Sequence, residues 1–224
     1  MMVVGNLKTY MTYKDIIEYK DNIPDNVIIC PTSLYIPYFL NHKYEIGIQD
    51  ISCHDLGAHT GDICALQAKE FGVKYALIGH SERRNKETDE EINKKILKAL
   101  ENNLKVILCV GENKGEDLKS KLQYQLLNDL KGVTNLDNVI IAYEPIWCIG
   151  TGVTPTNLQI EDTINFIQTI IQTNFKENAK ILYGGSVDKN NINTLKQIDN
   201  VAGFLIGKAS TDYKHLKEIV DSLR

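Results

Sequence analysis

The sequence predicts an α/β protein that folds as a single (β/α)8 barrel over residues 1–224. Eight short apolar, β-branched runs alternate with longer segments, several of which have helical spacing. The runs do not alternate between apolar and polar residues, as expected for a parallel sheet that helices cover. No composition shift, flexible linker or low-complexity stretch divides the chain, which favours one closed barrel over two smaller domains.

The predicted strands and helices follow one another along the whole chain. Helices are clearest where apolar residues recur every three or four positions, at residues 90–100 and 160–171, and the pattern returns at 118–130 and 214–223. The pattern is weak after the second, third and seventh strands, where we still expect helices. The strands are predicted at residues 3–4, 27–30, 44–48, 75–78, 106–110, 139–143, 181–183 and 204–206.

The composition argues against several classes of partner. The chain has 25 Lys and Arg against 29 Asp and Glu, a formal net charge of −4, and no basic stripe for nucleic acid or an anionic membrane. No apolar run approaches the roughly 18 residues that span a bilayer, and the first residues lack a signal-peptide pattern. The five cysteines are scattered without C-x-x-C spacing, as is typical of reduced thiols. We therefore expect a cytoplasmic protein.

Polar residues follow several predicted strands at their C-terminal ends, where a barrel gathers its functional side chains. Asn6 and Lys8 follow the first strand, His80 and Glu82 the fourth, and Glu144 the sixth. The mouth of the barrel would therefore combine a cation, an imidazole and a carboxylate. We expect partial desolvation to raise the pKa of Glu144 and make it a stronger base. A structural ion pair is an equally open interpretation of a lone glutamate.

His80 precedes a short predicted helix that Ser81 could cap, and the amide end of that helix would disfavour a proton on the imidazole. A neutral imidazole can donate a hydrogen bond to a carbonyl oxygen, although a lone histidine more often has a structural role. Lys8 and Asn6 could stabilise negative charge that develops on a substrate oxygen, although most lysines are solvated surface.

Glycine-rich turns after the later strands offer backbone N–H groups to an anion. They lie at residues 150–152, 184–186 and 207–208. None completes a nucleotide-binding motif, since Pro155 stands where a G-x-G-x-x-G pattern would end. We also expect no metal site, because the cysteines and histidines near residues 53–64 match no paired zinc-ligand spacing.

Four longer motifs resemble the triosephosphate isomerase family, and the resemblance covers essentially the whole chain. They are YALIGHSERR at residues 75–84, AYEPIWCIGTG at 142–152, LYGGSV at 182–187 and GFLIGKAS at 203–210. The resemblance implies a TIM barrel that interconverts dihydroxyacetone phosphate and glyceraldehyde 3-phosphate in glycolysis and gluconeogenesis. It also implies that no metal or organic cofactor takes part.

The resemblance implies a role for each matching residue. Glu144 would move a proton between the substrate carbons, and His80 would polarise the carbonyl as a neutral electrophile. Lys8 and Asn6 would bind the substrate and stabilise the enediolate oxygen, with Glu82 orienting Lys8. Asn6 and Lys8 would also help to bind the substrate phosphate. The other phosphate-binding residues would follow the later strands, and they are Gly150, Ser186, Gly207 and Lys208.

The segment at residues 57–62 resembles the loop through which members of this family form homodimers. The resemblance implies that Thr60, near the tip of this loop, enters a neighbouring subunit close to its Lys8. Asp50, which replaces the family's usual asparagine, is assigned to the same interface. Lys208 replaces a glycine that commonly helps hold the phosphate, which is tolerable if only its backbone N–H is used.

Other interpretations stay open at this point. A barrel could bind a phosphorylated metabolite without converting it, but the complete set of Lys8, His80 and Glu144 argues against this alternative. An aldolase-type barrel would need a Schiff-base lysine at a strand end, and Lys208 alone stands at a late strand end. A scaffold that only binds other proteins would leave the polar residues at the barrel mouth unexplained.

Overall fold

The computed structural model describes residues 1–149 and 154–224. Within them, eight parallel strands pair in sequential order, and β1 pairs with both β2 and β8 to close a barrel. This confirms the predicted (β/α)8 barrel, and all the predicted strands are found close to their expected positions. They are β1 (Met2–Asn6), β2 (Ile28–Cys30), β3 (Glu45–Ile48), β4 (Tyr75–Ile78), β5 (Lys105–Val110), β6 (Val139–Tyr143), β7 (Lys180–Tyr183) and β8 (Gly203–Ile206).

Helices connect the strands, and the four segments with clear helical spacing are all helical. None of the helices in the described residues is long and apolar enough to cross a bilayer. The helices are α1 (Tyr13–Tyr19), α2 (Ala65–Glu70), α3 (Ser81–Arg84), α4 (Asp89–Glu101), α5 (Leu118–Asp129), α6 (Asn157–Phe175), α7 (Ile192–Leu195) and α8 (Tyr213–Ser222).

The weakly patterned connections are the ones that differ from regular α-helices. The segment after β2 is a 3-10 helix, Ser33–Phe39, so the expected α-helix there is wrong. Pro37 lies inside this segment and has no N–H for an α-helical hydrogen bond. The helices after β3 and β7 are present but have only 6 and 4 residues. Two further 3-10 turns, Ile146–Cys148 and Lys208–Thr211, follow β6 and β8.

The strands are buried on both faces, as the uninterrupted apolar runs predicted. In β5, Ile107 and Cys109 belong to a cluster of residues from the strands that fills the barrel interior. Val106 and Leu108 belong to the larger layer shared with the helices. The polar residues of the candidate site lie at the C-terminal ends of these strands, directly above the apolar interior of the barrel.

Candidate active site

A cavity of about 480 Å³ opens where the C-terminal ends of the strands meet. Asn6, Lys8, His80 and Glu144 line it from β1, β4 and β6, and together with Glu82 we call them the acid–base cluster. The residues that follow β7 and β8 line the same cavity, and we call Ser186, Gly207 and Lys208 the β7–β8 edge. The structure thus brings together the residues that the sequence analysis assigned to catalysis and phosphate binding. Gly150, which was assigned to the phosphate, lies outside the described residues.

Glu144 is placed at the end of β6 by close packing of the backbone against the end of β5. Its N–H donates to the carbonyl oxygen of Val110 at 2.8 Å. A Cβ on Gly111 would lie 1.8 Å from the carbonyl oxygen of Glu144, so only glycine permits this approach. The carboxylate is buried, and its Oε2 accepts a hydrogen bond from the Ser81 N–H at 3.2 Å.

His80 faces Glu144 across the cavity floor. Its Nε2 lies 3.1 Å from Oε1 of Glu144. Its Nδ1 accepts a hydrogen bond from the Glu82 N–H at 3.2 Å, which makes His80 itself the N-cap of α3. The expectation that Ser81 caps this helix is therefore wrong, because Ser81 is already the first residue of α3 and the position before it is His80. An Nδ1 that accepts a hydrogen bond carries no proton, so the neutral tautomer has its proton on Nε2.

The charges of His80 and Glu144 depend on each other. Burial raises the pKa of Glu144, but attraction to His80 and their hydrogen bond outweigh it, so the pKa lies below its ordinary value. The expectation that burial would raise the pKa of Glu144 is thus wrong, since it left out the facing imidazole. Burial lowers the pKa of His80, but the Glu144 carboxylate outweighs burial, and the pKa lies above its ordinary value. The expectation that the helix end would disfavour a proton on His80 is therefore wrong too, since it also left out the facing carboxylate.

The second charged pair of the cluster joins Lys8 to Glu82. The Lys8 ammonium donates to Oε1 of Glu82 at 2.6 Å, while Glu82 itself is largely exposed. The Lys8 backbone has a φ of 47°, which is uncommon outside glycine and costs free energy. The Lys8 N–H donates to Oδ1 of Asn6 at 3.1 Å, which leaves the Asn6 amide N–H groups to face a ligand.

Two residues that the sequence analysis missed hold Lys8 in this conformation. The Lys8 carbonyl accepts hydrogen bonds from Thr32 Oγ1 and from Gln49 Nε2, both at 2.9 Å. Gln49 also donates to the carbonyl of Cys30 at 2.9 Å. The signal was available for Gln49, since it directly follows β3, but a neutral amide drew less attention there than a charged side chain.

Arg84, the last residue of the short helix α3, joins this helix to β5 by hydrogen bonds. The Arg84 guanidinium donates to the Cys109 carbonyl from Nε at 3.1 Å and from Nη2 at 2.7 Å. A Cβ on Gly79 would lie 3.0 Å from Nη2 of Arg84, and the φ of Gly79 is +70°, so glycine is required before His80. Arg84 also pairs with Asp129, whose side chain is fully buried.

Donors without acceptors distinguish the β7–β8 edge. The backbone N–H groups of Ser186, Gly207 and Lys208 donate to no acceptor in the part of the chain that the structure describes. The Ser186 hydroxyl donates to the Cys148 carbonyl at 3.0 Å and is therefore occupied. Ser210 bonds to the Gly207 carbonyl from both its N–H and its hydroxyl, which fixes the turn. Convergent free N–H groups are suited to an anion.

The two residues assigned to a subunit interface do not line this cavity. Thr60 is exposed in the β3–α2 loop, whose base is closed by a 2.5 Å hydrogen bond from Ser52 to Asp62. Asp50 pairs within its own chain, with Lys95 and with Arg83 at 2.8 Å each. Burial raises the pKa of Asp50, against these two cations.

Comparison with known proteins agrees with this geometry. The family model for triosephosphate isomerase matches residues 1–223. A triosephosphate isomerase of Clostridium botulinum (strain Loch Maree) is 36% identical over 98% of this chain and 98% of its own length. One from Mesomycoplasma hyorhinis is 39% identical over 93% of each chain, and one from Mycoplasma genitalium is 34% identical over 97% of this chain and 96% of its own. With the whole barrel and its mouth matched, the chain belongs to the triosephosphate isomerase family.

Proposed function

We propose that this protein interconverts dihydroxyacetone phosphate and glyceraldehyde 3-phosphate by moving a proton between adjacent carbons. One observation supports this most directly, namely that a carboxylate, an imidazole and an ammonium face one cavity beside backbone N–H groups that have no acceptor within residues 1–149 and 154–224. The carboxylate is a base, the other two groups oppose negative charge on oxygen, and the N–H groups suit a phosphate. A protein that only binds a phosphometabolite would not need the base.

In the proposed complex, the phosphate accepts hydrogen bonds from the N–H groups of Ser186, Gly207 and Lys208. The substrate carbonyl then lies against Lys8, Asn6 and the Nε2–H of His80. Glu144 must leave both the Ser81 N–H and the Nε2–H of His80 to reach a substrate carbon, and that Nε2–H then turns to the substrate carbonyl. Exclusion of water around a bound phosphate would strengthen these electrostatic contacts.

The proton movements balance without any other reactant. Glu144 takes a proton from C1 of dihydroxyacetone phosphate, the C–H electron pair forms a C1–C2 double bond, and the carbonyl electrons move to the C2 oxygen. Lys8, Asn6 and His80 stabilise the resulting enediolate, and His80 carries a proton between the two oxygens. Glu144 then returns its proton to C2, which gives glyceraldehyde 3-phosphate with no change of overall oxidation state.

The test is a coupled assay with glyceraldehyde 3-phosphate on the unchanged protein and on Glu144→Gln. Glutamine keeps the size of the side chain and removes the base, so turnover should fall by about 10³-fold or more. Binding of glycerol 3-phosphate, measured by calorimetry, should persist in the variant. An unchanged protein that binds this ligand but shows no isomerisation would favour the binding-protein alternative.

We further propose that the active protein is a cytoplasmic homodimer in which the β3–α2 loop enters the neighbouring subunit. The loop exposes Thr60 and the apolar side chain of Leu56, which is 63% exposed and would be buried by a docked partner. The loop also starts shortly after Gln49, which holds the Lys8 carbonyl. A docked partner would therefore stabilise Lys8. No disulfide joins any of the five cysteines, all of which the structure describes, in keeping with a reducing compartment.

The change Thr60→Arg tests the dimer because a charged side chain at the tip of the loop would have to be buried in a partner. We expect a monomer by size-exclusion chromatography and loss of most isomerase activity. Thr60→Ser is the matched control and should stay dimeric and active. A Thr60→Arg protein that is monomeric and fully active would contradict the proposed role of the interface.

A further inference from the structure

The β7–β8 edge carries a side-chain cation that the acid–base chemistry does not use. Lys208 lines the cavity and is exposed, and its ammonium has no hydrogen bond or ion pair among the described residues. Lys208 is absent from the residues with positive φ, so its side chain fits the backbone there without strain.

The other cation of the cavity is already compensated. The Lys8 ammonium lies 2.6 Å from the Glu82 carboxylate, and Glu144 brings a second negative charge to the same cluster. A dianionic phosphate that enters this cavity therefore meets little net positive charge from the acid–base cluster. The β7–β8 edge carries the other ammonium that lines this cavity, that of Lys208.

The acidic side chains of the same cavity are engaged with backbone donors. Asp188 accepts from the N–H groups of Asn190 and Asn191, and Asp212 accepts from those of Lys214 and His215. Neither aspartate forms an ion pair with Lys208. The ammonium is therefore available to a ligand.

We propose that the side chain of Lys208, and not only its backbone N–H, determines how strongly the site binds the dianionic phosphate group of its substrate. A Cβ on Gly207 would lie 3.6 Å from Cε of Lys8, so the edge that carries Lys208 adjoins the Lys8 side chain in the same cavity. The ammonium adds an unpaired positive charge at this position. The inference rests on the proposed function, because it assigns the phosphate of the triose to this edge.

The experiment measures dissociation constants of inorganic phosphate and glycerol 3-phosphate by calorimetry at several salt concentrations. It compares the unchanged protein with Lys208→Met, Lys208→Arg and Lys214→Met. Lys214 is the matched control, since it is an exposed lysine in α8 that does not line the cavity. Circular dichroism verifies that each variant is folded.

We expect Lys208→Met to weaken both ligands by about three- to tenfold at low salt and to reduce the salt dependence of binding. KM for the triose phosphate should rise by a similar factor, with a smaller effect on kcat. Lys208→Arg should restore binding, and Lys214→Met should bind like the unchanged protein. A purely structural role would not move the salt dependence.

The proposal is overturned if Lys208→Met keeps both the affinity and the salt dependence of the unchanged protein. It is also overturned if Lys214→Met weakens binding equally, since net charge alone would then explain the effect, or if Lys208→Arg fails to restore it. These outcomes do not depend on catalysis. A protein that shows the expected binding changes but no isomerisation would refute the proposed function and leave the role of Lys208 intact.

Discussion

The two halves of the cavity are built on opposite principles. In the acid–base cluster each charged group already has a partner, with His80 on Glu144 and Lys8 on Glu82. The β7–β8 edge instead presents backbone N–H groups that find no acceptor among the residues that the structure describes. The ion pairs of the cluster therefore hold its charged side chains in position before a substrate binds. The backbone N–H groups of the edge gain an acceptor only when a ligand binds. Changes in the cluster should therefore affect turnover, and changes at the edge should affect affinity.

After loss of the base in Glu144→Gln, Lys8→Met should reduce turnover most, and a Lys8→Met variant that behaved like a change at the edge would contradict this division of the cavity. The variant loses the ammonium that opposes charge on the enediolate oxygen, so kcat should fall by about 10²- to 10³-fold. It also leaves Glu82 without its partner, but Glu82 is exposed and remains solvated. Steady-state kinetics provide the measurement. A variant with a raised KM and an unaffected kcat would show that Lys8 only holds the phosphate.

The pairing of His80 with Glu144 predicts an intermediate effect with a defined sign. In the unchanged protein the carboxylate raises the pKa of His80 against burial, so the imidazole gains a proton as the pH falls through a value above the ordinary one. In Glu144→Gln that influence is lost, and burial together with Lys8 should place the pKa below the ordinary value. NMR titration of the His80 ring measures both. An equal pKa in the two proteins would contradict the pairing.

The same pair contributes to stability with opposite pH limits. The raised pKa of His80 means that its stabilising effect is present below the ordinary histidine pKa and is lost as the pH rises through the folded value. The lowered pKa of Glu144 means that its effect is present above the ordinary carboxyl pKa and is lost as the pH falls through the folded value. The pair therefore stabilises the fold between these limits.

Ser186→Ala should change ligand affinity least, and it tests whether the edge binds the phosphate through the backbone N–H of Ser186 or through its hydroxyl. The Ser186 hydroxyl is bonded to the Cys148 carbonyl, so only the backbone N–H is free for a phosphate. Alanine keeps that N–H and loses only the hydrogen bond to the Cys148 carbonyl. The dissociation constant of glycerol 3-phosphate should therefore change by less than about threefold. A loss of tenfold or more would mean that the hydroxyl turns to the ligand.

The sequence was sufficient to predict the barrel because both of its periodicities are strong. Parallel strands buried on two faces appear as uninterrupted apolar runs, and helices such as α4 and α6 carry a regular apolar stripe. The strand ends then located Lys8, His80 and Glu144. The segment after β2 could not be assigned in this way. Its apolar residues have only a weak helical spacing, and Pro37 lacks the N–H that an α-helix would use there.

Other features of the site depend on contacts that no local pattern contains. The expected rise in the pKa of Glu144 followed from burial alone, whereas the observed lowering needs the imidazole of His80, which is far away in the chain. Gln49 and Thr32 hold the Lys8 carbonyl for reasons that appear only when β1, β2 and β3 are placed side by side. Residue types at strand ends can be predicted, but their pairings cannot.

The central claim, that Glu144 removes a carbon-bound proton from the substrate, is tested most directly by hydrogen exchange in deuterium oxide. The protein is mixed with dihydroxyacetone phosphate, and the C1 protons are followed by NMR. We predict that the unchanged protein replaces a C1 proton with deuterium during turnover, and that Glu144→Gln, with glycerol 3-phosphate binding intact, does so at least about 10³-fold more slowly. Exchange in the variant at the rate of the unchanged protein would contradict the account.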